Sequence, residues 1–465
     1  MTIDSAADQL SIGAAQLVAQ IDGQTSAKIY AEITRLITDG ILLPGTRLPT
    51  IRDVAREASV SVGLIADAWG QLRDAGLVDT RRRGGTRVAP RASEPQPAAS
   101  RFPGWSQVDL LLCSPDVSLQ PALGAALLSS LGQENLNAWG RDFMTNPLRA
   151  AVEPHWPFAA EGWMTAGGGT EALLLATAAA APRGSVVAVD EPLSPGYLDT
   201  LKDLGVTPIG VRSDADGPLP ASLREALAHN PVAFIYQPGA PFAVDHVLTQ
   251  QRADELGAVL LDHNASSGQN PVWVIEDDSI GPLASVDPPS IGHLMPERVL
   301  RIRTFCKAYG TDLRTSVLGG SRALIERAIL ERSHGVGSNS RILQNALAWL
   351  VTDAATETLV RSARERYRSR KQLLLDALSA AGLVAHSGPE SLVVWIEVED
   401  ETRALLALAG QGISVGSGSK SFVTAPDPHL VRVSITQLPD SAEPVRQFAN
   451  LLAGAASGSL REYFD

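Results

Sequence analysis

The chain has 465 residues, of which 45% are hydrophobic and 19% charged, and a net charge of −12. These figures describe a folded protein of two or three ordinary domains and exclude a disordered chain or a minimal binding module. No apolar run reaches the roughly 18–20 residues of a bilayer span, and the acidic start MTIDSAADQL lacks the basic and apolar regions of a signal peptide. The only cysteines are Cys113 and Cys306, and the eight histidines are scattered, so neither a disulfide framework nor a metal site is expected. The chain reads as cytosolic.

Residues 1–24 read as a short amphipathic extension with no assignable role. The next stretch, 25–90, reads as a separate domain. Between Thr25 and Pro90 ten basic side chains stand against seven acidic ones, so the negative excess of the chain lies wholly outside it. That asymmetry marks a small DNA- or anion-binding module on an acidic body. Ile29, Ile33, Leu36 and Ile37 follow a helical period from Ser26 to Gly40, and the Pro-Gly turn in ILLPGTRLPT ends it. Thr50 and Ser61 are candidate N-caps of two further helices, the second carrying Ile65, Ala68, Trp69 and Leu72 on one face. LVDT, the basic turn RRRGG and TRVA read as a hairpin. Three helices followed by a basic hairpin make a winged helix-turn-helix.

Residues 91–106 are rich in Pro, Ala and Ser and read as an extended linker. From 107 to 340 short apolar runs (SVVAVD, VTPIGV, VAFIYQP, VWVIEDD, RVLRIRTF) alternate with helical patterns, which indicates an α/β unit with a mainly parallel sheet covered by helices on both faces. Residues 341–465 open with a long helix carrying Leu343, Leu347, Leu350 and Val351. They continue as a smaller α+β unit with strands near SLVVWIEV and LVRVSIT.

The first group of chemistry-bearing residues runs from Gly45 through Arg47, Thr50 and Arg52, then Val60-Ser61-Val62, then Arg81-Arg82-Arg83-Gly84-Gly85. It resembles the N-terminal domain of GntR-type regulators. A helix N-terminus at Ser61 presents free N–H groups to phosphate or the major groove. Arg47 and Arg52 would grip the DNA backbone, and the Arg81–Arg83 wing would enter the adjacent minor groove; the alternative for that triplet is a solvated turn. The family often has Arg after the recognition-helix Ser, where this chain has Val62. Readout from that position would be apolar, as with a thymine methyl.

The second group is Arg303-Thr304-Phe305-Cys306-Lys307-Ala308-Tyr309-Gly310-Thr311-Asp312-Leu313-Arg314. It resembles the lysine segment of fold-type-I pyridoxal-phosphate (PLP) proteins. By that resemblance Lys307 forms the Schiff base, and Thr304 and Arg314 hold the phosphate. Gly167-Gly168-Gly169-Thr170 opens a helix after a short strand, and its backbone N–H groups suit the same phosphate. Asp277 fits the carboxylate that pairs with the pyridine nitrogen, the alternative being a strand-end cap. Arg432 aligns with the arginine that holds a substrate carboxylate, the alternative being a structural ion pair. The other lysines of the body, Lys202, Lys371 and Lys420, read as surface residues.

Together the two halves resemble the MocR branch of the GntR regulators, a winged helix-turn-helix fused to an aminotransferase-like domain. The resemblance implies a homodimer, head to tail, on a double-stranded DNA operator in the nucleoid, with a small amino compound or PLP as effector. Ser194, Ala240 and Ser279 stand where the family has a Tyr, an Asn and a Tyr near the cofactor ring. Each lost hydrogen bond costs about 0.5–1.5 kcal/mol, which weighs against efficient transamination. Two alternatives stay open at this point: an aminotransferase carrying a DNA-binding module, and a degenerate domain that serves only as a dimerisation scaffold.

Overall fold

A computed structural model of the chain describes residues 11–21, 25–38, 41–42, 45–75, 77–81, 85–89, 108–140, 142–266, 271–333 and 337–457. The chain forms two compact units, Met1–Ala98 and Ala99–Asp465.

The first unit contains α1 (Ala14–Val18), α2 (Ser26–Thr38), α3 (Ile51–Glu57) and α4 (Val62–Asp74), followed by the antiparallel hairpin of β1 (Val78–Arg81) and β2 (Gly85–Val88). Both expected caps form. The Thr50 hydroxyl accepts from the Asp53 N–H at 3.2 Å and the Ser61 hydroxyl from the Leu64 N–H at 3.3 Å, each satisfying a backbone donor left open at a helix start. The apolar positions at helical spacing turn inward: Ile29, Ile33 and Leu36 meet Val54, Ile65, Ala68, Trp69 and Leu72, and the hairpin adds Val78 and Val88. Leu17 and Ile21 are buried in this same core. Part of the stretch read as a roleless extension is thus built into the domain.

The second unit is organised around a seven-stranded sheet. Its spatial order is Gly162–Ala166, Ser316–Gly320, Val299–Thr304, Trp273–Asp278, Ala233–Tyr236, Val186–Asp190 and Thr207–Val211. Ser316–Gly320 runs antiparallel to both its neighbours, and the other pairings are parallel. One face packs against the helices Gly169–Ala180, Tyr197–Leu204 and Arg322–Arg332; the other packs against Pro220–Leu227 and Gln250–Ser266. Covering both faces is what makes the parallel strands read as continuous apolar runs. All five strands expected from such runs form. Ser316–Gly320 was hidden because its glycines carry no strand signal, yet packing requires them: a Cβ on Gly319 would lie 2.6 Å from the Trp163 ring.

The long helix expected after residue 340 is two helices, Arg341–Thr352 and Ala354–Ala380. The break falls at Asp353, whose carboxylate accepts from the Thr356 N–H at 2.8 Å and caps the second helix. Beyond it an antiparallel sheet pairs Ala385–His386, Val393–Val398, His429–Ser434 and Gly416–Ser417. Among the described residues no helix is long and apolar enough to cross a membrane.

Candidate functional site

The site lies at the C-terminal edge of the parallel strands, where open α/β sheets place their ligand crevices. Strand geometry sorts its carboxylates. Trp273–Asp278 pairs with Val299–Thr304 so that Glu276 stands opposite Arg301 and Asp277 opposite Ile302. Successive side chains point to opposite faces. Glu276 and Asp278 therefore turn to one face, where the buried Arg301 guanidinium donates to both, at 2.8 and 3.1 Å. Tyr236 and Ser290 donate hydroxyl hydrogens to the same Glu276 carboxylate at 2.7 and 2.8 Å. This network, in which only the Arg301 Nε lacks a partner, anchors the strand end, and Asp277 faces the other way into a cavity of about 370 Å³.

Asp277 is 4% exposed. The Ser194 hydroxyl donates to it at 3.1 Å. Burial pushes its carboxyl up to about 6, against the opposing pull of the Lys307 ammonium and the Ser194 hydrogen bond. Lys307 sits in the short helix Cys306–Tyr309 directly after the strand Val299–Thr304. Its ammonium donates to the Ser279 carbonyl at 2.8 Å, and the Thr304 hydroxyl donates to the same oxygen at 3.1 Å. Lys307 is the one lysine lining the cavity among the described residues.

The glycine turn closes the other end. Gly168 has φ 129°, and the helix Gly169–Ala180 starts there without a side-chain cap, leaving its first N–H groups open. A Cβ on Gly169 would lie 2.8 Å from the Thr304 methyl, so glycine lets the helix start settle onto Thr304. Thr170 lines the cavity beside it. Arg314 is exposed and left-handed, φ 42° and ψ 39°, with a guanidinium nitrogen 4.0 Å from where a Gly168 Cβ would stand. No ion pair or side-chain hydrogen bond engages Arg314 among the described residues. Open helix N–H groups, a hydroxyl and an unengaged guanidinium form a donor set suited to a phosphate monoester.

Arg432 is not a wall of this cavity. It lies in the strand His429–Ser434, 2% exposed, and donates to the Ser421 hydroxyl at 3.0 Å and the Leu111 carbonyl at 3.2 Å. Its Nε has no partner, and no carboxylate pairs with it among the described residues. The structural ion pair that was its alternative reading is therefore not made there. Gly416 leaves the room it needs, since a Cβ there would lie 2.6 Å from the guanidinium. Burial pulls its pKa down, with Cys113 as the opposing charge.

Several wall residues carried no sequence signal. Tyr197 lines the cavity, and its hydroxyl meets that of Thr177 at 2.6 Å. Pro195-Gly196 just before it was the available clue, Gly196 supplying the φ of 79° that starts the helix. Cys113, Cys306 and Phe242 also line it. Lys371 is a correction. Set in the basic run RERYRSRK it reads as a surface residue, yet it is buried, and its ammonium donates to the carbonyls of Gly388, Pro389 and Ser391 at 2.8, 2.7 and 3.2 Å. Burial brings its pKa down to about 8. Lys202 and Lys420 are exposed as expected.

In the first unit Arg47, Thr50, Arg52, Ser61 and Val62 are all exposed. Arg47 bridges to Arg87 at the base of the hairpin, and its Nε lies 3.2 Å from where a Cβ on Gly85 would stand. Gly85 has φ 75°, which suits it to leave the wing turn. The side chain of Arg81, together with Arg82 and Arg83, lies outside the described residues.

Residues 25–88 match the family model of the bacterial regulatory proteins, gntR family. The chain is 27% identical over 429 residues to the vitamin B6 salvage pathway transcriptional repressor PtsJ of Salmonella typhimurium, covering 90% of this chain and 96% of that one. It is 26% identical over 384 residues to the HTH-type pyridoxine biosynthesis transcriptional regulator PdxR of Corynebacterium glutamicum, covering 76% and 78%. The multiple substrate aminotransferase of Thermococcus profundus superposes with a TM-score of 0.66 at 18% identity, over 75% of this chain and 91% of that one. The body therefore has the aminotransferase fold.

Proposed function

We propose that this chain, a GntR-type DNA-binding domain joined to an aminotransferase-like body, is a transcriptional regulator whose body holds pyridoxal 5'-phosphate and senses a small amino compound or the vitamin itself. The observation that carries the reading is the placement of Lys307 and Asp277 in one cavity, with an unengaged Arg314 beside the glycine-lined helix start. Relatives named for vitamin B6 salvage and pyridoxine biosynthesis support it.

The donor set fits the cofactor. Arg314, Thr304, Thr170 and the N–H groups at Gly168 and Gly169 would take the phosphate, and Asp277 the ring nitrogen. PLP, when bound, supplies an aldehyde open to amines and a ring that withdraws electrons. Lys307 would be the amine that holds the cofactor, and to do so its nitrogen would have to leave the Ser279 carbonyl and give up a proton. Asp277, already costly to ionise in its buried setting, would gain a cationic partner in the ring nitrogen. Ser194 holds the carboxylate in position. Arg432, buried with a free Nε behind the cavity-lining Cys113, is the guanidinium that would take an effector carboxylate.

The ring contacts missing from this chain weigh against efficient turnover. Ala240 is buried and offers no polar side-chain group, and the Ser194 hydroxyl is shared between Asp277 at 3.1 Å and the Gln237 side-chain oxygen at 3.2 Å. The dimer, head to tail, would carry two wings and meet a two-part operator, which footprinting tests: protection of one isolated half-site counts against it. Domain limits of 25–90, 107–340 and 341–465 are part of the same reading.

The decisive experiment is an absorbance spectrum of the full-length protein with and without PLP, followed by titration with amino acids. A visible band is expected in the parent and absent in Lys307→Ala. A colourless parent at saturating PLP leaves only the scaffold reading, and a band that survives in Lys307→Ala overturns the lysine assignment.

A further inference from the structure

Helix α4 carries an unusual reading face. Ile65, Ala68, Trp69 and Leu72 are buried, so the helical period turns Val62, Gly63, Ala66 and Asp67 outward over the first two turns, and all four are exposed. Val62, 49% exposed at the first helical position, serves neither the core nor helix propensity, where a β-branched residue is a modest former. Gly63 has open space where a side chain would stand, which allows close approach of the backbone to a surface. Not one of the four side chains can donate a hydrogen bond. Val62 and Ala66 end in methyl groups. Asp67 only accepts, and it already takes the Gln71 amide at 3.2 Å.

The major groove offers this face a restricted choice. Guanine presents two acceptors, N7 and O6, which a donor must meet. Thymine presents its C5 methyl, and cytosine an amino donor. These four side chains offer guanine no donor, which leaves only the Ser61 hydroxyl and the open backbone N–H groups at the helix start to meet it, and the carboxylate opposes the phosphates unless an amino group of a base meets it. We infer that α4 reads thymine methyl groups, with Val62 and Ala66 as the specificity-determining residues, and that Arg47 and Arg52 supply the phosphate grip. This inference rests on the reading of the first unit as the DNA-binding domain and assigns what that domain recognises.

The test uses the full-length protein and the duplex it enriches from a random-sequence pool. Each thymine of the enriched site is replaced in turn by deoxyuridine, which removes the methyl and nothing else. Affinity should fall about fourfold at the thymines facing α4, the factor that burying one methyl group supplies. The deoxyuridine penalty should shrink at one thymine per half-site in Val62→Ala. In Val62→Arg the enriched base at that position should become guanine. A specific site whose affinity is unchanged by deoxyuridine at every thymine overturns the inference and leaves the DNA-binding reading intact. If no duplex is enriched at all, that reading and the inference fall together.

Discussion

Replacing Asp277 by Asn should stabilise the vitamin-free protein, and the size of the gain should depend on pH. The carboxyl has an ordinary value of 3.8 and is pushed up to about 6, mainly by burial. An acid whose pKa is higher folded than unfolded binds more protons in the folded state between the two values, so raising the pH through that window removes stability. At 1.36 kcal/mol per pKa unit the burden is about 0.5 kcal/mol at pH 4, about 1.5 at pH 5 and about 3 above pH 7. Asparagine is free of it at every pH and still offers an oxygen to the Ser194 hydroxyl. Urea unfolding of both proteins at a series of pH values, followed by near-UV circular dichroism, should show a gap in favour of Asp277→Asn that widens from pH 4 to 7 and is then flat. Saturating PLP should reverse the order, because only the carboxylate gains from a ring cation. A gap that does not move with pH refutes the reasoning, since the carboxyl would then carry no burial penalty.

Other perturbations separate the parts of the site. Arg314→Ala should weaken PLP about tenfold to a hundredfold, the range for hydrogen bonds to a charged group, read from the visible absorbance on titration; equal affinity would place the phosphate elsewhere. Arg432→Ala should leave PLP affinity unchanged and weaken an amino acid effector, with no loss for the amine lacking its carboxylate; equal amino acid affinity refutes the carboxylate role. Lys371→Ala strips a donor from three carbonyls and should lower stability by about 2–3 kcal/mol while leaving the visible band in place. Loss of the band in a folded Lys371→Ala protein would move the cofactor assignment away from Lys307.

Much of this architecture is legible in the sequence because local signals and tertiary demands agree. VWVIEDD and RVLRIRTF are strands by their apolar runs and by their structure, and Thr50 and Ser61 cap the helices that follow them. Where the two disagree, packing decides. The two glycines of SVLGG dilute its strand signal, yet the segment fills the sheet beside Trp163. Lys371 has basic neighbours on a solvated helix, and only the approach of the 388–391 turn, distant in sequence, buries it. Arg301, in the middle of the sheet, is held by Glu276 and Asp278, and only the strand register shows that pairing. The cavity lysine and carboxylate were legible as types at a spacing. Tyr197, Cys113 and Phe242 were not, because the wall they form joins separate stretches of chain.

One oxygen atom, the Ser279 carbonyl, accepts from both the Lys307 amine and the Thr304 hydroxyl, the two donors that the proposed cofactor would claim. Were both donors drawn away by a bound ligand, this buried carbonyl would lose its two side-chain partners at once. A site wired in this way would register its ligand at two ends through a single atom of the backbone.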